Sequence, residues 1–147
     1  MATRKKAVED LAKFVQLEGP FDGVIGFSGG SALAATLLVQ ERRNPPFKVA
    51  VFFSAVPALE PFALSQGVEK PLRAGSDPLI CIPTAHIWGK NDVDWAGAPE
   101  EIFRLCAAGR QSYVHDLGHE IPGGKDKATI IAVAHAVRRA INAALAA

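Results

Sequence analysis

Along residues 3–18 apolar side chains recur at Val8, Leu11 and Val15, joined by Ala7 and Phe14, with lysines and acids between them. That spacing predicts an amphipathic helix, which Gly19-Pro20 stops. After the turn Phe21-Asp22-Gly23 the pattern changes. Val24-Ile25-Gly26-Phe27 reads as a short strand, and residues 29–43 as a largely apolar helix ended by Asn44-Pro45-Pro46. Residues 47–53, Phe-Lys-Val-Ala-Val-Phe-Phe, form a nearly continuous apolar run rich in β-branched and aromatic side chains. Such a run predicts a strand buried on both faces, as in a parallel sheet. Residues 54–77 are irregular, broken by Pro57, Pro61, Gly67, Pro71 and Gly75, yet they hold Leu59, Phe62, Leu64 and Leu72. A lid, a pocket wall or a surface excursion is expected there.

The remaining chain repeats the strand-and-helix theme. Residues 83–89 read as a strand whose carboxyl end turns at Lys90-Asn91-Asp92. Residues 98–108 read as a helix burying Ile102, Phe103, Leu105 and Cys106, with Gly109 as its stop. Residues 112–115 give a last short strand, 116–124 a turn-rich loop, and 125–147 a long alanine-rich helix. The alternation predicts an α/β fold, a parallel sheet flanked by helices, as one domain across the 147 residues.

Composition narrows the partners. The chain is 49% hydrophobic with a formal net charge of +1 and its charges dispersed, so no nucleic-acid surface is expected and a small molecule or a protein is the expected partner. Cys81 and Cys106 lie far apart without metal-ligand or redox spacing, and read as buried free thiols. No motif asks for a cofactor or metal. The start, Met1-Ala2-Thr3-Arg4-Lys5-Lys6, is basic without a following apolar signal region, and no uninterrupted run of about 18 apolar residues occurs. A cytoplasmic protein that does not enter a membrane is the expectation.

The candidate chemistry centres on Gly26-Phe27-Ser28-Gly29-Gly30, which fits G-x-S-x-G, a strand-to-helix turn that lifts a serine clear of a sheet. Glycines two residues to either side are expected because the sharp turn leaves no room for Cβ atoms. The alternative is a glycine-rich turn in which Ser28 caps the helix. In an open parallel sheet ligands bind beyond the carboxyl ends of the strands, and the turns there carry Ser28, Asp92 and His119. The chain order Ser, Asp, His is that of α/β-hydrolases. Asp94, Asp77 and Asp116 are rivals for the acid, and His86, His115 and His135 for the base. His86 lies in a strand pattern and reads as a satisfied core residue. Trp88 and Trp95 are candidates for an acyl pocket or for the core.

Residues 21–28, 49–54, 82–92 and 118–122 resemble successive blocks of the FSH-type serine hydrolases, a branch of the α/β-hydrolase superfamily whose members act as esterases or thioesterases. The resemblance implies Ser28 as nucleophile, Asp92 as acid, His119 as base, the Gly29 amide as oxyanion donor, and a small-molecule ester or thioester as substrate. Two features depart from the family. Gly29 stands where glutamine is usual, and nothing corresponds to the opening strand and His-Gly loop that supply a second oxyanion donor. The chain thus resembles a truncated member, in which the lost donor would cost on the order of 3 kcal/mol. Two noncatalytic alternatives follow, an interaction module and an acyl-binding protein. The strand from Val24 to Phe27 is then expected at a sheet edge, where it could pair two copies into a homo-oligomer.

Overall fold

The computed structural model describes residues 3–147, so Met1 and Ala2 of the basic start lie outside the described residues. In chain order the elements are α1 (Arg4–Glu18), β1 (Gly23–Phe27), α2 (Gly29–Gln40), β2 (Val49–Phe53), α3 (Pro61–Ser65), β3 (Thr84–Gly89), α4 (Ala98–Leu105), β4 (Gln111–His115) and α5 (Lys127–Ala146). The strands form one parallel sheet in the order β1-β2-β3-β4, each paired with the next in sequence. All strands therefore end on the same side, and the loops beyond those ends share one rim.

Strand parity builds the core. On one face of β2, Ala50 and Phe52 pack with Val8 of α1 and with Ala34, Leu37 and Leu38 of α2. On the other, Val51 and Phe53 pack with Ala85 and Ile87 of β3 beneath Ala140, Val133 and Val137 of α5. The unbroken apolar run of β2 is what burial on both faces requires, and each large side chain so buried contributes roughly 1.5–3 kcal/mol. β1 differs. It stands at the edge of the sheet, as its sequence context predicts, and α5 lies over β2, β3 and β4 without covering it. Val24 packs into the α1–α2 core, whereas Ile25 on the opposite face is 70% exposed.

Several boundaries move for tertiary reasons. Thr3 is the cap of α1 and not its first residue, its Oγ1 accepting the Lys6 N–H at 3.1 Å. Helix α4 ends at Leu105, three residues before the expected end, because Cys106 turns extended and forms a parallel bridge with Ile80. Residues 54–77 run over the surface in their second half, from residue 65 on, but are anchored to the interior. Ala58, Leu59, Leu64 and Leu72 belong to the main core, and the Leu59 N–H is held by Thr36 Oγ1 at 2.9 Å. The thiols also divide: Cys106 is buried, but Cys81 is exposed, contrary to the expectation for an apolar run. Burial pushes the Cys106 thiol up to about 12. Helix α5 is long and apolar enough by length and composition to cross a membrane, although Arg138 and Arg139 interrupt its apolar run. Here it packs on the sheet through Ala136 and Ala140.

Candidate active site

The turn from β1 into α2 is sharp because Ser28 adopts φ 52° and ψ −120°, a conformation that costs a non-glycine residue of the order of 1–3 kcal/mol. It is pinned on both sides. The Ser28 N–H donates to Phe53 O at 3.0 Å, and Ser28 O accepts from the Ser31 N–H at 3.0 Å. The hydroxyl makes no capping bond to α2, which removes the helix-cap reading. It lies 2.7 Å from His119 Nε2.

The two expected glycines are not equivalent. A Cβ on Gly26 would stand 2.7 Å from Ser31 Cα and 2.8 Å from Ser31 N, so glycine is required there for the first turn of α2 to close on β1. A Cβ on Gly30 would meet nothing within 4 Å. The steric expectation therefore holds before the serine and fails after it.

His119 and Asp92 arrive from the ends of β4 and β3. His119 Nδ1 lies 2.5 Å from Asp92 Oδ2. Asp92 is buried at 6% exposure, and its other oxygen accepts the Trp95 N–H at 3.2 Å, so both carboxylate oxygens are engaged and the group is fixed in orientation. The imidazole sits between two aromatic rings, Phe27 at 5.5 Å and Trp95 at 6.2 Å between centroids. The ring thus meets the Ser28 hydroxyl at Nε2 on one side and the Asp92 carboxylate at Nδ1 on the other.

The rivals are elsewhere. Asp94 and Asp77 are exposed, and Asp116 pairs with Lys90 at 2.8 Å. His135 is exposed on α5. His115 is buried, with Nδ1 accepting the Leu117 N–H at 3.1 Å, and burial holds its pKa below the ordinary imidazole range. His86 is a core residue as expected but not a satisfied one. Nε2 meets Thr84 Oγ1 at 2.9 Å while Nδ1 is buried without a partner, and burial with nearby Arg110 pushes its pKa down to about 3.

Two positions that sequence reasoning passed over support the histidine loop. Gly89 closes β3 where a Cβ would run into the carbonyls of Leu117 and Gly118, so only glycine lets the loop pass at that height. Ser54, just beyond β2, takes φ 45°, is fully buried, and donates its hydroxyl to Glu120 O at 3.3 Å. A glycine after an apolar strand was a legible signal for the first. Nothing in the sequence marks the second. Trp88 and Trp95 both line a cleft of about 370 Å³ with Asp92, Pro99 and Val114, on the acid-loop side of the site. Among the described residues no group of His, Cys, Asp or Glu is arranged to hold a metal.

A parallel sheet carrying a serine on a strained strand–helix turn, with a histidine and an aspartate on later strand ends in that order, is the architecture of an α/β-hydrolase. The solved structures it resembles agree on the fold. It superposes with a TM-score of 0.56 on a Rhizomucor miehei esterase at 11% identity, covering 96% of this chain and 58% of that one. For the esterase domain of a Rhodothermus marinus protein the values are 0.55, 14%, 92% and 67%. Sequence carries the assignment further: the chain belongs to the serine hydrolase (FSH1) family, whose profile matches residues 2–131. It is 44% identical to Esterase FPY3 of Fusarium mangiferae over 122 residues, 79% of this chain and 55% of that protein. Hydrolase phiM of a fungal species is 33% identical (80% and 58% covered), and bovine Esterase OVCA2 is 32% identical (80% and 50%). The chain spans about half the length of these relatives.

Proposed function

We propose that the chain is a serine esterase or thioesterase that uses Ser28, His119 and Asp92 as a triad on a small-molecule ester or thioester. The observation that carries this reading is the continuous line of contacts, 2.7 Å from Ser28 Oγ to His119 Nε2 and 2.5 Å from His119 Nδ1 to Asp92 Oδ2. His119 Nε2 takes the hydroxyl proton as Oγ attacks the carbonyl carbon, while Asp92 holds the Nδ1–H tautomer and offsets the imidazolium charge. The tetrahedral oxyanion forms beside the first turn of α2, where the exposed Gly29 N–H donates to it. Collapse expels the alcohol or thiol, which takes the proton from His119. Water then attacks the acyl-enzyme with His119 again as base. Exposed Phe27, Trp95 and Ile121 give the rim an apolar character suited to an acyl chain.

The alternative is a binding module on the same scaffold, in which the apolar rim of Phe27, Trp95 and Ile121 holds an acyl group without turning it over. Labelling with a fluorophosphonate separates the two. The esterase reading requires stoichiometric modification of the wild type, loss of it in Ser28→Ala, and a drop of about 10³- to 10⁴-fold in Asp92→Asn with the fold retained. A folded wild-type chain that stays unlabelled, or a Ser28→Ala chain that still reacts, overturns it.

A further inference from the structure

Two tryptophans and a glutamate meet in the cleft of about 370 Å³ beside the acid loop. It lies at the β3–β4 end of the sheet, away from β1. Trp88 projects from β3 and is braced by the Phe103 ring, 6.2 Å away between centroids and edge-on. Trp95, 43% exposed, stands on the acid loop. Glu100 enters from the first turn of α4, and its Oε2 is buried without a hydrogen-bond partner. A glutamate at this third helical position can accept from the N–H of the cap residue, but that oxygen does not. A buried acceptor left unmet is costly, and a guest able to donate removes the cost.

The nearby cations are engaged by other acids. Lys90, which also lines the cleft, pairs with Asp116 at 2.8 Å, and Arg73 and Arg104 both pair with Glu101, at 3.2 and 3.4 Å. With Asp92 as a further wall, the cleft holds two carboxylates against one ammonium that is already paired. The field inside it favours a positive guest. The indoles favour one as well, since a cation within about 6 Å of an aromatic centroid is drawn to the ring.

We propose that this cleft binds a protonated amine, its ammonium held by the two indoles and donating to the Glu100 carboxylate. The terminal carboxyl torsion is soft, so turning it presents the free oxygen to the cleft at little cost. The unmet acceptor selects a primary ammonium over a quaternary one, which has charge but no N–H to give. Trp95 joins the cleft to the triad: its N–H donates to Asp92 Oδ1 at 3.2 Å, and its ring stands 6.2 Å from that of His119. The amine has two sources, the acyl chain of an ester bound at Ser28 or a separate molecule.

The chain's two tryptophans both line the cleft, so tryptophan emission reports on the guest without any catalysis, and the test is independent of the esterase reading. n-Butylamine at neutral pH is expected to change that emission saturably. n-Butanol and tetramethylammonium should each bind at least about tenfold more weakly, a comparison that needs no variant. Glu100→Gln should weaken n-butylamine by about tenfold or more with an unchanged circular dichroism spectrum. Two esters then locate the amine. A preference for p-nitrophenyl ω-aminohexanoate over p-nitrophenyl heptanoate that Glu100→Gln abolishes places it on the substrate, and equal rates make it a separate molecule. No saturable change with n-butylamine overturns the proposal, whether water fills the cleft or Lys90 swings onto Glu100. Tetramethylammonium or n-butanol binding as tightly, or full binding by a folded Glu100→Gln chain, overturns it too.

Discussion

Replacing Gly26 by alanine places a methyl group against backbone that cannot swing away. Its Cβ would lie 2.7 Å from Ser31 Cα, 2.8 Å from Ser31 N and 3.0 Å from Gly30 C, where carbon contacts settle near 3.5–4.0 Å. The first turn of α2 must therefore retreat from β1 by about 1 Å. Overpacking of this kind costs about 1–3 kcal/mol, against which the stiffer unfolded chain returns up to about 1 kcal/mol. The net expectation is a loss of roughly 0.5–2 kcal/mol. The same retreat carries Ser28 out of reach of His119 Nε2, now 2.7 Å away, and a displacement near 1 Å is worth about 10²-fold in rate. Gly30→Ala is the control, because its Cβ enters open space. It should leave stability within about 0.5 kcal/mol and labelling within about twofold. Urea unfolding and the second-order rate of fluorophosphonate labelling measure both quantities. If Gly26→Ala reacts at the wild-type rate, or Gly30→Ala proves the more damaging, the steric account of the turn is wrong.

Gly89→Ala drives a methyl group into the Leu117 and Gly118 carbonyls, so His119 should lose its place; labelling is expected to fall at least 10²-fold, with reduced stability in the same urea experiment. His86 gives a pH dependence. Its imidazole is neutral when folded down to about pH 3, whereas in the unfolded chain it takes up a proton below about 6.5, so its contribution is complete above that value and declines as acid is added. Stability should fall between pH 6.5 and 3 with a slope of about 1.4 kcal/mol per unit from this residue, and His86→Phe should remove that slope. An unchanged slope would show that His86 is not the group responsible.

The sequence was most legible where local pattern and tertiary demand coincide. β2 is apolar throughout because both of its faces are covered, and Ser28, Asp92 and His119 stand on turns whose place at the strand ends follows from the alternation alone. It was least legible where a distant partner decides. Cys106 has a helical neighbourhood and leaves the helix only because Ile80 draws it into a bridge. Leu59 and Leu64 look like pocket lining until Thr36 and the α2 core fix them inside. Ser54 carries no sign of its positive φ, which is imposed by β2 and by the loop that it supports. Gly30 misled for the opposite reason, since the motif puts a glycine there without any steric need visible in this fold.

The backbone at Ser28 has a consequence for how this sequence can change with time. At φ 52° and ψ −120° glycine is the residue of lowest energy, so a mutation from serine to glycine there makes the folded chain more stable while erasing the hydroxyl. If Ser28 is the nucleophile proposed above, inactivation at this one position runs downhill in free energy. A lineage with no use for Oγ would drift toward glycine without needing any advantage beyond persistence of the fold. On the proposed esterase reading, serine at position 28 is held uphill by the demand for its oxygen.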